Sequence, residues 1–341
     1  MKKMFVFLCL FLNFIFIFIL TGCNKDDNNM YNDFLFEINN NEVTIITYLG
    51  TDTNIVIPNE INNLPVTKIG EFAFAYPREN EINISLQRNL NENYGNSEPL
   101  LGIPIDIIYK TTVQITSVVL NDNLVEIGQM AFFNTRITKI DMPSSIRHIG
   151  LRAFMDSTLQ SVTLNYGIEV IGTAAFTHSM ITEIEIPASV TKIDGGAFNR
   201  IPTLRNVIFN EGLQIIADSA FGHTSITELS FPTTLKTIGM RAFERTESLT
   251  SIYFAEGLQV IGTNAFSYSD LREITFPSTL RSIGVSAFSN NHNLISISLN
   301  EGLEFIGSWA FRNTNLSKVY VPYSISYIGA GAFDENVTLN A

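Results

Sequence analysis

Cysteine is nearly missing from this chain of 341 residues: the two present are Cys9 and Cys23. Cys9 sits inside an apolar run near the start, so the body of the chain has no pair of thiols to join. That excludes an internal disulfide framework and a cysteine-rich zinc site, and leaves packing alone to hold the fold together. Charge is scarce and one-sided. Only 16% of residues are charged, and 33 acids face 21 bases, for a net charge of -12. A phosphate backbone needs a basic surface, so nucleic acid is excluded as a partner. The Ala, Lys and Glu that build long helices are not prominent either; the composition leans towards Ile, Asn and 26 Phe, which argues against a helical bundle. No Ser/His/Asp set, phosphate loop or dinucleotide motif is present.

Lys2 and Lys3 precede an apolar run over residues 4–20 broken only by Asn13. This is the layout of a secretory signal, and the run is short for a membrane span of about 20 residues. Leu20-Thr21-Gly22-Cys23 resembles the lipobox of bacterial lipoproteins, in which the signal is cut before a cysteine whose thiol is then acylated. The resemblance implies export, lipidation at Cys23, and anchorage to the bacterial cell membrane or outer membrane, with surface exposure. Several acyl chains on one cysteine would hold a protein stably where one chain holds only marginally. Residues 23–33 then form a polar tether, too poor in apolar side chains to fold alone.

The rest of the chain is periodic. The string Ile-Gly-x-x-Ala-Phe, in places without its Gly, recurs with its Ile at 69, 127, 149, 171, 193, 216, 238, 261, 283, 306 and 328, and Ala-Phe follows each time. After the first copy the interval is 22 or 23 residues. Each unit opens with an L-x-x-L-x-L pattern, as in Ile181-x-x-Ile184-x-Ile186, whose final alternation marks a short strand with one buried face. The strand ends alternately in Pro (Pro143, Pro187, Pro232, Pro277, Pro322) or, usually, Asn (Asn121, Asn165, Asn210, Asn300). Such a unit cannot bury its own apolar face, and stacking neighbours solves this by aligning equivalent positions. The expected fold is therefore a solenoid with one parallel sheet face, one strand per turn, and short helical or irregular turns on the other side. Columns of Phe, Ala and Ile would fill its interior. The Gly after the Ile suits either a corner with positive φ or a close backbone approach; Asp194 and Ala217, which replace it, argue against a strict need for positive φ.

The phrase L-x-x-V-x-L-P-x-S-L-x-x-I-G-x-x-A-F resembles the BspA-like leucine-rich-repeat family. Tyr48-Leu49-Gly50, Ile57-Pro58 and Leu64-Pro65-Val66-Thr67 resemble the usual first repeat of those proteins. The resemblance implies a secreted or surface-anchored binding role. One departure is the Cys that the family often carries soon after Ala-Phe; here Thr177, Gly222, Ser267 or Arg312 stands in that place. Residues 34–76 are expected to form a hairpin cap and first repeat, 77–111 an insertion loop, and 112–341 the solenoid.

Function on such a scaffold belongs to residues pointing outward from the strands. The fifth pattern position supplies Asp141, Glu185, Tyr253, Thr275, Ser298 and Tyr320, and the third supplies Glu183 and Glu228. These eight are the candidate interaction surface, with the two tyrosines as anchors. Glu183 and Glu185 have the spacing of a glycosidase acid pair, but nothing near them in sequence completes an active site. Carboxylates on a flat sheet seldom converge the six or more oxygens that calcium needs. His178 and His223 fall two turns apart, roughly 9–10 Å, too far to share a metal. The expectation is no enzyme, no metal and no cofactor, but a lipid-anchored adhesion or binding protein for an extracellular protein or glycan. The alternative is an envelope component that self-associates through its C-terminal repeat.

Overall fold

The computed structural model of the chain describes residues 33–76 and 113–340. They form a β-solenoid whose turns follow the sequence period, with no helix among the described residues. It begins with an antiparallel hairpin of β1 (Phe34–Asn39) and β2 (Glu42–Tyr48). Asn40 and Asn41, both with positive φ, make the tight turn that matches strand twist. Phe34 and Phe36 cover the first coil, where Phe34 lies against Tyr48 and Phe74.

From this cap one long sheet runs through Leu64–Ile69 and then through two-residue strands from Glu126–Ile127 to Tyr327–Ile328, in sequence order and parallel from β2 onward. Each of these short strands ends in the repeat Ile. The expected strands at L-x-x-L-x-L also form, but they do not make the continuous sheet assigned to them. They pair two by two: Lys139–Asp141 with Ser161–Thr163, Glu183–Ile186 with Asn206–Phe209, Glu228–Ser230 with Ser251–Tyr253, and Glu273–Thr275 with Ser296–Ser298. In each of these pairs a Pro-ending coil precedes its partner. Proline explains the interruption. Asn210 donates its backbone N–H back to Ile186 O, whereas Pro232, at the equivalent place in the next coil, has no N–H to give. The alternation of Pro-ending and Asn-ending strands in the sequence is thus a hydrogen-bonding period.

The interior is aromatic. Phe74, Phe132, Phe154, Phe176, Phe198, Phe221, Phe243, Phe266, Phe288 and Phe311 are fully buried. Successive rings lie parallel with centroids 5.1–5.5 Å apart, within the range for favourable aromatic pairs. Phe333 continues the stack 5.2 Å from Phe311 but is only partly buried. A second column, Phe209, Phe231, Phe254 and Phe276, packs edge-on against the first. The Ala of each unit is buried, and its carbonyl accepts the N–H of the preceding coil's Phe at 2.7–2.8 Å over most of the stack.

The Gly after the repeat Ile is there for closeness. At Gly128 an added Cβ would lie 2.7 Å from Ile69 O, and at Gly262 it would lie 2.6 Å from the backbone carbon of Gly239. The left-handed residue comes later, immediately before Ala, and is rarely glycine: Met130, Arg152, Ser219, Asn264 and Trp309 adopt it with φ of +51 to +59. Such a conformation costs about 1–2 kcal/mol per residue. It is offset because each of these N–H groups donates to the next coil, as Met130 does to Leu151 O at 2.9 Å.

Candidate interaction surface

All eight residues expected on the outward strand rows are exposed. In Ser251–Tyr253 and Lys318–Tyr320 the middle residue, Ile252 or Val319, turns inward. That alternation sends Tyr253 (64% exposed) and Tyr320 (55%) to solvent. Thr275 and Ser298 face outward in the two coils between them and are registered partners. At one strand spacing per coil, the tyrosines stand about 14 Å apart. Ile208 and Val119 add exposed apolar side chains to the same row, and they were not singled out in the sequence as anchors.

The acids divide. Asp141 is engaged: Lys139 Nζ lies 3.0 Å away and the Thr163 hydroxyl donates to it at 2.7 Å. The Thr163 hydrogen bond, then the lysine, holds its carboxyl below the usual range. Glu185 accepts a hydrogen bond from Asn210 Nδ2 at 2.9 Å, whereas Glu183 and Glu228 simply project from their strands. Among the described residues no three His, Cys, Asp or Glu side chains are grouped so as to hold a metal ion. His178 sits at a turn and pairs with Asp156 at 3.0 Å.

Two polar devices escaped the sequence reading, one joining neighbouring coils and one local to each Phe turn. Glu211 accepts the N–H and hydroxyl of Thr233 and the N–H of Thr234, and Glu256 does the same for the N–H and hydroxyl of Ser278. These bonds pull both carboxyls below their ordinary range. The Glu-Gly turn at Glu211 and at Glu256 thus caps the Pro-Thr/Ser turn of the next coil, a second reason for two alternating repeats. The other device closes the Phe turn: Thr135, Ser157, Thr224, Thr246 and Thr314 donate their hydroxyls to the carbonyl of the Phe three residues earlier. The signal was a Ser or Thr three places after Phe. At the hairpin end, a cleft of about 260 Å³ is lined by Glu37, Lys68, Glu71 and Glu126. Burial raises the Glu37 and Glu71 carboxyls, and the neighbouring Glu126 raises Glu71 further.

A parallel coil with a buried ladder at every turn and a solvent-exposed outer row defines a leucine-rich-repeat solenoid. Residues 105–224 and 214–340 match the BspA type leucine rich repeat region, and the chain belongs to that family. No curated protein matches it. Among solved structures, a leucine rich cell surface protein from Faecalibacterium prausnitzii A2-165 is 24% identical, with 89% of this chain and 86% of that chain covered and a TM-score of 0.52. The pneumococcal vaccine antigen PcpA is 18% identical, with 89% and 77% covered and a TM-score of 0.47. The first of these is similar to the present chain in fold.

Proposed function

We propose that the protein is a lipid-anchored surface protein that presents its outward strand row to an extracellular protein or glycan. The observation that carries this is the pair of exposed tyrosines, Tyr253 and Tyr320, on one row of a rigid scaffold. Exposed aromatics of this kind are typical interface anchors. The anchor is Cys23, which lies outside the described residues, as does the 77–111 segment. Membership of a repeat family and fold similarity to a cell surface protein support the same placement. Capture from host or matrix extracts, with native chain and a Tyr253→Ala, Tyr320→Ala variant as baits, is the test. A ligand held by the native chain and lost by the variant supports the row. A ligand held equally by both, and lost on deletion of residues 77–111, moves binding to that segment.

A second reading is self-association through the last coil. Ile328, in the outermost described strand of the long sheet, and Leu339, in the strand paired with Lys318–Tyr320, are 38% and 46% exposed at positions that face inward elsewhere. Sedimentation over a range of concentrations tests it: a single monomeric species at high concentration removes this reading.

A further inference from the structure

The position two residues after each core Phe is left-handed in most coils, and in three consecutive coils it holds Arg200, His223 and Arg245, with φ of +56 to +58. Their N–H groups each donate to the following coil, Arg200 to Gly222 O, His223 to Glu244 O and Arg245 to Ser267 O. The three side chains are therefore stacked at one coil spacing, about 4.8 Å. A basic column is unexpected on a protein of net charge -12, and it borders a shallow, open cleft. The cleft has a volume of about 380 Å³ and is lined by Pro202, His223, Ser225, Arg245, Glu247 and Ser248 among others.

The groups are partly held in place. The Arg245 guanidinium carbon lies 4.6 Å over the Tyr268 ring, a cation–π contact that steadies the side chain without neutralising it. Its ion pair with Glu247, at 3.8 Å and largely exposed, is weak enough for a ligand to replace. The Ser225 hydroxyl donates to Pro202 O at 2.8 Å, which leaves its oxygen lone pairs as acceptors. Burial, then Arg200, pushes the His223 imidazole below its usual pKa, so the ring is neutral at pH 7.

We infer that this cleft binds a carboxylate-bearing sugar, a uronic acid either free or within a polysaccharide, with Arg245 and His223 on the carboxylate. The arginine fork matches a carboxylate in geometry. With His223 neutral and Glu247 paired to Arg245, the lining carries no net charge, so a monoanion binds by taking the place of Glu247 on the Arg245 fork, and a doubly charged phosphate monoester is disfavoured. The Ser225 and Ser248 hydroxyls and the Glu247 carboxylate suit ring hydroxyls. The lining is mostly polar and lacks the apolar floor that a buried peptide side chain would need. This site is on the turn side of the coil and does not depend on the strand row.

Calorimetric titration of the full chain with glucuronate, glucose, acetate and inorganic phosphate tests it. Glucuronate is expected to bind saturably, with the other three about tenfold weaker or more, the scale of one lost charge-assisted hydrogen-bond set. Arg245→Gln should lose about tenfold in glucuronate affinity, while Arg136→Gln, at an exposed arginine outside the cleft, should not change it. Affinity should also rise as pH falls through the His223 pKa, because protonation adds a positive charge facing the ligand. Arg200 and Arg245 oppose that protonation while Glu244 and Glu247 favour it, and His223→Gln should abolish the pH dependence. Tighter binding of polygalacturonate than of the monosaccharide identifies the polymer as the source; equal affinity per residue identifies the free sugar. No saturable binding, acetate or phosphate equal to glucuronate, or an Arg245→Gln variant that keeps its melting curve and full affinity would overturn the inference.

Discussion

Phe221 is the place to probe what holds the solenoid together. Its ring is fully buried, lies parallel to Phe198 at 5.1 Å and Phe243 at 5.3 Å, and meets Phe209 edge-on at 5.6 Å. Truncation to Ala removes the side chain from a site that neighbouring coils cannot collapse to fill, since intercoil backbone hydrogen bonds fix their spacing. A loss of about 3–5 kcal/mol follows for a large-to-small change in such a core, of which each broken ring pair accounts for about 0.5–1.5 kcal/mol. Phe333 stacks on one described neighbour only, Phe311, and is partly exposed, so Phe333→Ala should cost about 1–2 kcal/mol on the same scale. Urea unfolding followed by circular dichroism gives both values. Hydrogen exchange adds a position: Phe221→Ala should loosen the coils from Phe198 to Phe243 before the ends, because repeat arrays are stabilised by nearest-neighbour terms. Equal and small losses in the two variants would refute the view that the Phe stack is the energetic core.

Cys23→Ser should leave the protein uncleaved or soluble; detergent partitioning with mass measurement of the mature N-terminus checks it, and an unmodified Cys23 in membrane-bound native protein would exclude lipidation. Gly262→Val should cost about 1–3 kcal/mol by forcing a side chain into the backbone of the preceding coil, measured by the same urea titration. Glu211→Gln with Glu256→Gln should flatten the acid limb of the stability curve. Both native carboxyls have pKa values lowered by hydrogen bonds, so their stabilisation is present above the unfolded carboxylate pKa and is lost as pH falls through the lower folded one; melting temperatures from pH 6 to pH 2.5 read this.

The turn-by-turn fold was legible because its main contacts repeat at fixed sequence intervals. An Ile, an Ala and a Phe recurring together can be stacked in one way only, and the column of parallel Phe rings is the direct consequence. Pairing between strands was less legible. Both the L-x-x-L-x-L segment and the dipeptide ending in Ile alternate inward and outward over a few residues, and pattern alone favours the longer. Backbone hydrogen bonding decided otherwise, because Pro breaks the first ladder at every second coil while nothing breaks the second. The second Phe column was visible as Phe209, Phe231, Phe254 and Phe276 at one pattern position, but that position also accepts Leu, Ile and Met elsewhere, so it did not stand out as a ladder.

The outward residues were legible in direction and not in use. Strand alternation alone places Tyr253 and Tyr320 in solvent, and the structure agrees; it cannot tell that Asp141 is occupied by Lys139 and Thr163 or that Glu185 is held by Asn210. Those partners come from the same strand or from the next coil, some 22 to 25 residues on. The same displacement hid the Arg200, His223 and Arg245 column, whose members look unrelated along the chain. In a solenoid the unit of surface chemistry is a residue together with its equivalents one period away. Aligned by coil, the chain would have shown His178, Arg200, His223 and Arg245 in four consecutive coils at one turn position of an acidic chain, and that juxtaposition, rather than any local motif, marks the cleft.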